Sequence, residues 1–282
     1  MTSFSAALAL PRRSRRSLPG LPLTLGFTLF YLASLVLVPL LALVLKPASL
    51  GLAGFWDAVS SPRVLASLRL SFGMALAAAA IDSVFGLVIA WVLVRYRFFG
   101  KGLLDALIDL PFALPTAVAG IALSTLYAPN GWVGSILAEH GIKVAYTPWG
   151  VLVAMTFIAL PFSVRTIQPV LAELGRDAEE AAATLGATRL QTIFRVALPM
   201  LLPAILTGAA LAFARGVGEY GSIIFLAGNL PNISEIAPLL IVIKLEQFDY
   251  AGAAAIGVVM LAASFLMLLA LNALQGWAAK RR

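Results

Sequence analysis

The sequence predicts an all-α protein that crosses a bilayer six times, and three observations carry that prediction. The chain of 282 residues is 61% hydrophobic and 12% charged, with a mean hydropathy of +0.97, whereas an ordinary soluble domain carries about 25% charged residues. Six apolar runs, residues 21–45, 66–94, 103–127, 149–171, 199–227 and 251–274, are long enough to cross about 30 Å of hydrocarbon at about 1.5 Å per residue. They are too long and too uniformly apolar for the alternating strands, roughly ten residues each, of a membrane barrel.

The first run follows a basic segment, 1–20, containing "RRSRR". A cleaved signal peptide has an apolar region of about 7–15 residues followed by a small-residue cleavage site. This run is longer and lacks such a site, so it reads as an uncleaved span. The second run places Ala78, Gly86 and Ala90 on one stripe, where small residues allow helices to approach closely. Asp82 falls on that stripe and is expected to turn into the bundle, meeting an Arg or a backbone group. The third run carries Pro111 and Pro115 early, and Asp105 and Asp109 at its inner end are expected to pair with Arg95, Arg97 or Lys101.

The fourth run contains Pro161 and Pro169, and the fifth begins with Pro199 and Pro203. Each interior Pro frees a backbone carbonyl, which neighbouring helices or a water-lined cavity must satisfy. In the fifth run Ala204, Gly208, Ala212 and Gly216 recur every four residues, and Arg215 and Glu219 lie four apart. Each isolated charge there costs about 2.5–3.5 kcal/mol on the insertion scale, so the two are expected to pair. The pair either locks helix packing or lies at a gate or pathway. The second and fifth runs exceed the length needed and are expected to tilt or to begin in the interface. A basic tail, 275–282, follows the six-helix domain of 21–274.

Basic residues set the orientation. With the N-terminus inside, the inner side holds Arg12, Arg13, Arg15, Arg16, Arg95, Arg97, Lys101, Arg176, Arg189, Arg195, Lys280, Arg281 and Arg282, and the outer side only Lys46, Arg63, Lys143 and Lys244. Both termini are therefore expected in the cytoplasm. The net charge of +7 then records topology and contact with anionic lipid rather than nucleic-acid binding.

The inner loop 172–198 departs from the apolar pattern with "DAEEAAATLGATRLQTIFRVALP", Asp177 to Pro199. Asp177 with Glu180 and Thr188 with Gln191 both have capping-box spacing, and Gly186 between them suits the left-handed residue that closes a helix. The predicted shape is a short Ala-faced helix, a Gly hinge and a second helix. By physics alone this is either a docking knob for another protein or an amphipathic connector on the headgroups. The outer segments "PNGWVGSILAEHGIKVAY" and "NLPNISEIAPLLIVIKLEQFDY" either receive a partner or lie in the interface.

No catalytic constellation is evident. There is no Cys, the sole histidine, His140, sits in an outer loop, and Gly100-Lys101 lacks the upstream Gly and following hydroxyl of a phosphate-binding loop. No enzyme activity, metal or cofactor is expected.

Glu180-Ala181-Ala182, Gly186 and Val196-Ala197-Leu198-Pro199 resemble the EAA motif of permease subunits in binding-protein-dependent ABC importers, with Val196 in place of the usual Ile. "YRFFGKGLLDALIDLPFALPTAVAGIAL", "GEYGSIIFLAGNLP" and "LEQFDYAGAAAIGVVMLAASF" are similar to the sulfate/thiosulfate permeases of the CysT type, and the likeness extends from about residue 18 onward. The resemblance implies a type I ABC importer permease fold in the cell inner membrane. It implies that a cytoplasmic ATPase dimer docks on Glu179, Glu180, Ala181, Ala182, Gly186, Leu198 and Pro199, and that ATP is hydrolysed there and not on this chain. It further implies a second related permease subunit, a periplasmic sulfate/thiosulfate-binding protein, and Arg215, Glu219 and Asp82 as gate or pathway candidates. Two rivals are a molybdate/tungstate importer, whose permease would show a double proline where this chain has Leu114-Pro115-Thr116-Ala117, and an ion-coupled secondary transporter. The chain shows no inverted repeat of the kind many secondary transporters carry.

Overall fold

A computed structural model describes residues 20–280, giving backbone only at residue 274 and at 277–280. The basic segment with Arg12, Arg13, Arg15 and Arg16, and Arg281 and Arg282 of the tail, lie outside the described residues. The chain divides into two units, Met1–Leu45 and Lys46–Arg282. Among the described residues every regular element is helical.

In the first unit α1 (Leu21–Leu32) and α2 (Val38–Leu45) are joined by a π turn, Ala33–Leu37. Val38 there donates to Ala33 O, and Pro39 follows. A second π turn, Ile193–Ala197, has the same form: Leu198 donates to Ile193 O, and Pro199 comes next. Proline cannot donate to the carbonyl four residues back, and a wider turn just before it absorbs the lost bond without ending the helix.

The second unit contains α3 (Gly51–Ser60), α4 (Pro62–Arg95), α5 (Lys101–Ile108), α6 (Leu110–Ala113), α7 (Thr116–Tyr127), α8 (Trp132–Glu139), α9 (Pro148–Glu173), α10 (Asp177–Thr184), α11 (Arg189–Thr192), α12 (Leu198–Val217), α13 (Ile223–Leu226), α14 (Ala237–Glu246) and α15 (Tyr250–Lys280). Five described helical stretches are long and apolar enough to cross a membrane: Leu21–Ser60, Pro62–Arg95, Pro148–Glu173, Arg189–Val217 and Tyr250–Ala273. The third predicted run is divided instead into α5, α6 and α7. Leu114, held extended at ψ 136° by the proline that follows it, separates α6 from α7. The fourth run keeps Pro161 and Pro169 inside one unbroken 26-residue helix. Proline ends a helix only where the preceding residue leaves the α region.

The core forms where α4, α9 and α12 meet. The predicted small-residue stripes are buried, with Ala78, Gly86 and Ala90 on α4 and Ala204, Gly208, Ala212 and Gly216 on α12. Two of these glycines converge on one residue of α9. A Cβ at Gly86 would lie 2.7 Å from Ser163 Cβ, and one at Gly208 would lie 3.1 Å from Ser163 Cα. Larger side chains fill the space above and below: Met155, Ile158 and Ile167 on α9, Phe213 on α12 and Leu93 on α4. The Ser71 hydroxyl accepts the Ala237 N–H at 2.8 Å, joining the start of α14 to α4. Asp249 caps α15 through the Gly252 N–H and pairs with Lys244 at 2.8 Å. That ammonium first, and then the N–H, hold its carboxyl below the usual carboxylate range.

The convergence on Ser163 predicts the response to added volume. Gly86→Val is expected to lower the thermal unfolding midpoint in detergent, overpacking costing roughly 1–3 kcal/mol. Gly73→Ala, whose Cβ meets nothing within 4 Å, is expected to leave it unchanged or raise it. Equal midpoints for Gly86→Val and wild type would contradict the packing.

Candidate functional site

The loop 172–198 leaves α9 through Leu174 and a left-handed Gly175 at φ +65°. Arg176, not Asp177, is the N-cap of α10, and it makes no side-chain cap. The capping box expected from Asp177 and Glu180 is therefore absent. The left-handed Gly175 starts the helix one residue early, so the Arg176 carbonyl accepts the Glu180 N–H at 2.8 Å. Asp177, Glu179 and Glu180 all fall in the first turn, where negative charge suits the positive end of the helix dipole.

The rest of the loop follows the sequence expectation. Gly186 is left-handed at φ +84°. Its N–H bonds Ala183 O, and the Ala187 N–H bonds Ala182 O, the paired closure that such a residue permits. Thr188 and Gln191 then form a reciprocal capping box that starts α11. The second helix continues through the π turn into α12, so the loop and that spanning helix are one mechanical piece.

The loop is presented outward. Glu180, Ala181, Gly186 and Pro199 are exposed, and Ala182 and Leu198 are half-buried. Leu185 is 89% exposed, and Leu190 and Phe194 are exposed beside it. A short helix with small side chains and an apolar fringe is what a close-fitting protein surface needs. Glu179 does otherwise: its carboxylate meets Arg95 at 2.6 Å, across from the end of α4. A groove of about 440 Å³, lined by Trp91, Arg95, Tyr96, Arg176, Glu180 and Arg189 among others, runs between α4 and the loop.

The charges in and near the spans pair across the bundle. Arg215 and Glu219 meet as expected, at 2.5 Å. Helix α12 ends at Val217, so Glu219 lies just past its end, where it is buried and also accepts the Ser222 N–H and hydroxyl at 2.9 and 3.0 Å. Asp82 is buried as expected. The Arg or backbone contact expected for it is absent, since neither of its oxygens has a hydrogen-bond partner among the described residues.

Asp105 and Asp109 do not pair with Arg95, Arg97 or Lys101. Both bind Arg165 of α9, Asp109 in bidentate fashion at 2.8 and 2.6 Å and Asp105 at 2.6 Å. One helical turn apart, the two acids share the face of α5 and its end that looks across to α9. The Arg165–Asp105–Asp109 cluster, the Arg95–Glu179 pair and the bidentate Arg63–Glu235 pair at 2.7 and 2.6 Å were missed. The one available signal was that an Arg inside an apolar run, such as Arg165, must find a carboxylate. His140 is exposed at the C-cap of α8, its ring nitrogen 3.0 Å from Ile136 O.

Comparison with known proteins places this geometry. The family model described as "Binding-protein-dependent transport system inner membrane component" matches residues 82–282. The sulfate transport system permease protein CysT of Salmonella typhimurium is 51% identical over 93% of this chain and 95% of its own length. The protein of the same name in Synechococcus elongatus is 51% identical over 97% and 99%, and that of Escherichia coli is 50% identical over 93% and 95%. Among solved structures, a bacterial alginate ABC transporter in complex with its alginate-bound periplasmic protein aligns at TM-score 0.73 with 18% identity, covering 89% of this chain and 92% of that one. The MetNI methionine ABC transporter aligns at 0.53 with 18% identity over 78% and 99%. At these identities the structural likeness speaks to fold alone, the type I importer permease fold.

The buried Glu219 predicts a stability defect. Glu219→Ala is expected to lower unfolding stability in detergent by about 2 kcal/mol, less than the roughly 3–5 kcal/mol of a fully buried broken pair, because Arg215 is 31% exposed. The double variant with Arg215→Ala is expected to be less destabilised than the single, and a single variant as stable as wild type would contradict the pairing.

Proposed function

The chain belongs to the family of binding-protein-dependent transport system inner membrane components, and from that premise we propose that it is a membrane-spanning subunit of an ATP-driven importer of sulfate or thiosulfate. The observation that carries the ATP coupling is the exposed loop from Asp177 to Pro199, with its Ala-faced helix, left-handed Gly186 and capping-boxed second helix. The loop seats in a cytoplasmic ATPase dimer. Glu180, Ala181 and Ala182 enter the contact, Leu185, Leu190 and Phe194 supply apolar area, and Gly186 sets the angle between the two helices. Closure of the ATPase on nucleotide displaces the loop, and the unbroken path through α11 and the π turn carries that displacement to the base of α12.

The substrate assignment is supported by relatives of about 50% identity over more than nine tenths of the chain, which bear the name of sulfate transport system permeases. Both termini lie in the cytoplasm, following the distribution of Lys and Arg. A second, related permease subunit completes the pathway, and a periplasmic binding protein delivers the oxyanion to the outer side. Arg215, Glu219 and Asp82 flank the pathway or its gate. Among them Arg215 is the cation, and its pairing with Glu219 keeps an arriving anion from being held tightly.

Uptake of radiolabelled sulfate by cells with and without this gene tests the reading. Deletion is expected to abolish uptake, excess thiosulfate to compete, and uptake in the intact strain to persist on ATP when the proton gradient is collapsed. Glu180→Lys or Gly186→Leu is expected to leave the protein in the membrane and reduce uptake to the deletion level. Competition by molybdate but not thiosulfate would remove the substrate assignment. Collapse of uptake with the gradient would point to an ion-coupled carrier, and wild-type uptake in both variants would remove the docking role.

A further inference from the structure

Helix α4 is gripped by an arginine at each end. At its start, Arg63 binds both oxygens of the buried Glu235, in the segment before α14. At its last residue, Arg95 donates to the Gly175 carbonyl at 2.5 Å and to Glu179 at 2.6 Å. Arg176 closes the ring by donating to the Arg95 carbonyl at 3.1 Å. The Arg95 side chain is 9% exposed and its guanidinium lies 5.7 Å from the Trp91 ring centre, so packing holds it alongside Glu179. The contacts straddle the left-handed Gly175 and join residues 80 to 84 positions apart.

The two neighbouring acids of α10 are thus turned to different tasks. Glu180 is exposed at the rim of the groove, whereas Glu179 is tied to a helix that is not adjacent to the loop in the chain. From this we propose that Arg95 is a positioning residue for transport: with Glu179 it fixes the docking helix to α4, so that movement of the loop drives α4 together with α12. The proposal rests on the docking reading above and adds a second route to it. The chain itself leads from the loop to α9 and α12. The Arg95 ring supplies the connection to α4, whose far end is clamped to the outer segment through Glu235.

The complete complex, with ATPase, second permease and binding protein in proteoliposomes, provides the test. Retained ATPase and sulfate imported per ATP hydrolysed are measured for Arg95→Gln, Glu179→Gln, the double variant and Arg95→Lys. Each single Gln variant is expected to retain the ATPase at wild-type stoichiometry and to import at least about 5-fold less per ATP, the low end of ordinary coupling between sites. The double variant is expected to be no worse than either single, and Arg95→Lys to recover part of the loss. Wild-type import per ATP in the assembled fraction of both singles, or a double variant whose defect is the product of the two, would overturn the proposal and leave docking intact. Failure of the wild-type complex to retain any ATPase would instead overturn the docking reading itself.

Discussion

Two glycines allow two membrane helices to touch a third at the same residue, and the rest of the structure hangs on that contact. Gly86 of α4 and Gly208 of α12 both face Ser163 of α9. In a bilayer, helix association draws little from the hydrophobic effect and depends on close packing. A contact this close sets how the three helices run and therefore where their ends emerge. The C-terminal end of α4 is Arg95, within reach of the turn that leaves α9. The N-terminal end of α12 follows the π turn that carries α11.

The loop that results is held at three points by chemistry of different kinds. Backbone conformation closes α10 at Gly186, a reciprocal side-chain cap opens α11 at Thr188 and Gln191, and a part-buried ion pair ties α10 to α4. Each leaves a different part of the surface free, and what remains outward includes the small Ala181, the apolar Leu185, Leu190 and Phe194, the acidic Glu180 and the basic Arg189 and Arg195. A surface so prepared is suited to pressing against another protein while its frame stays fixed. The π turn before Pro199 fits this arrangement. A continuous helix transmits displacement, and the wider turn lets it pass a residue that cannot donate.

Features that depend on local spacing were legible in the sequence. The apolar runs other than the third, the small-residue stripes, the left-handed Gly186, the Thr188–Gln191 box and the Arg215–Glu219 pair depend on neighbouring stretches of chain, and the structure contains each of them. Asp177 was misjudged because a capping box is scored from spacing, whereas the conformation of Gly175, which decides where the helix begins, is not visible there. The partners of Asp105, Asp109, Arg95 and Arg63 are set by which helices pack together, at separations of tens of residues and more, so proximity along the chain chose the wrong cations for the two aspartates. The division of the third run at Leu114 was half legible, since its prolines were evident but α9 shows that proline alone does not break a helix. Asp82 was correctly placed inside the bundle by its stripe, and the contact expected for it did not follow from burial.

The central claim is that the surface around Ala181 seats on the ATPase, and the chain makes a direct measurement simple because it contains no cysteine. A single thiol introduced as Ala181→Cys, labelled with a maleimide photocrosslinker in the assembled complex, is expected to capture the ATPase on illumination. The same label at Trp132→Cys, an exposed position on α8, is expected to leave it free. Capture from position 132 and not from 181, or no capture from 181 while the ATPase stays bound to the complex, would contradict the account.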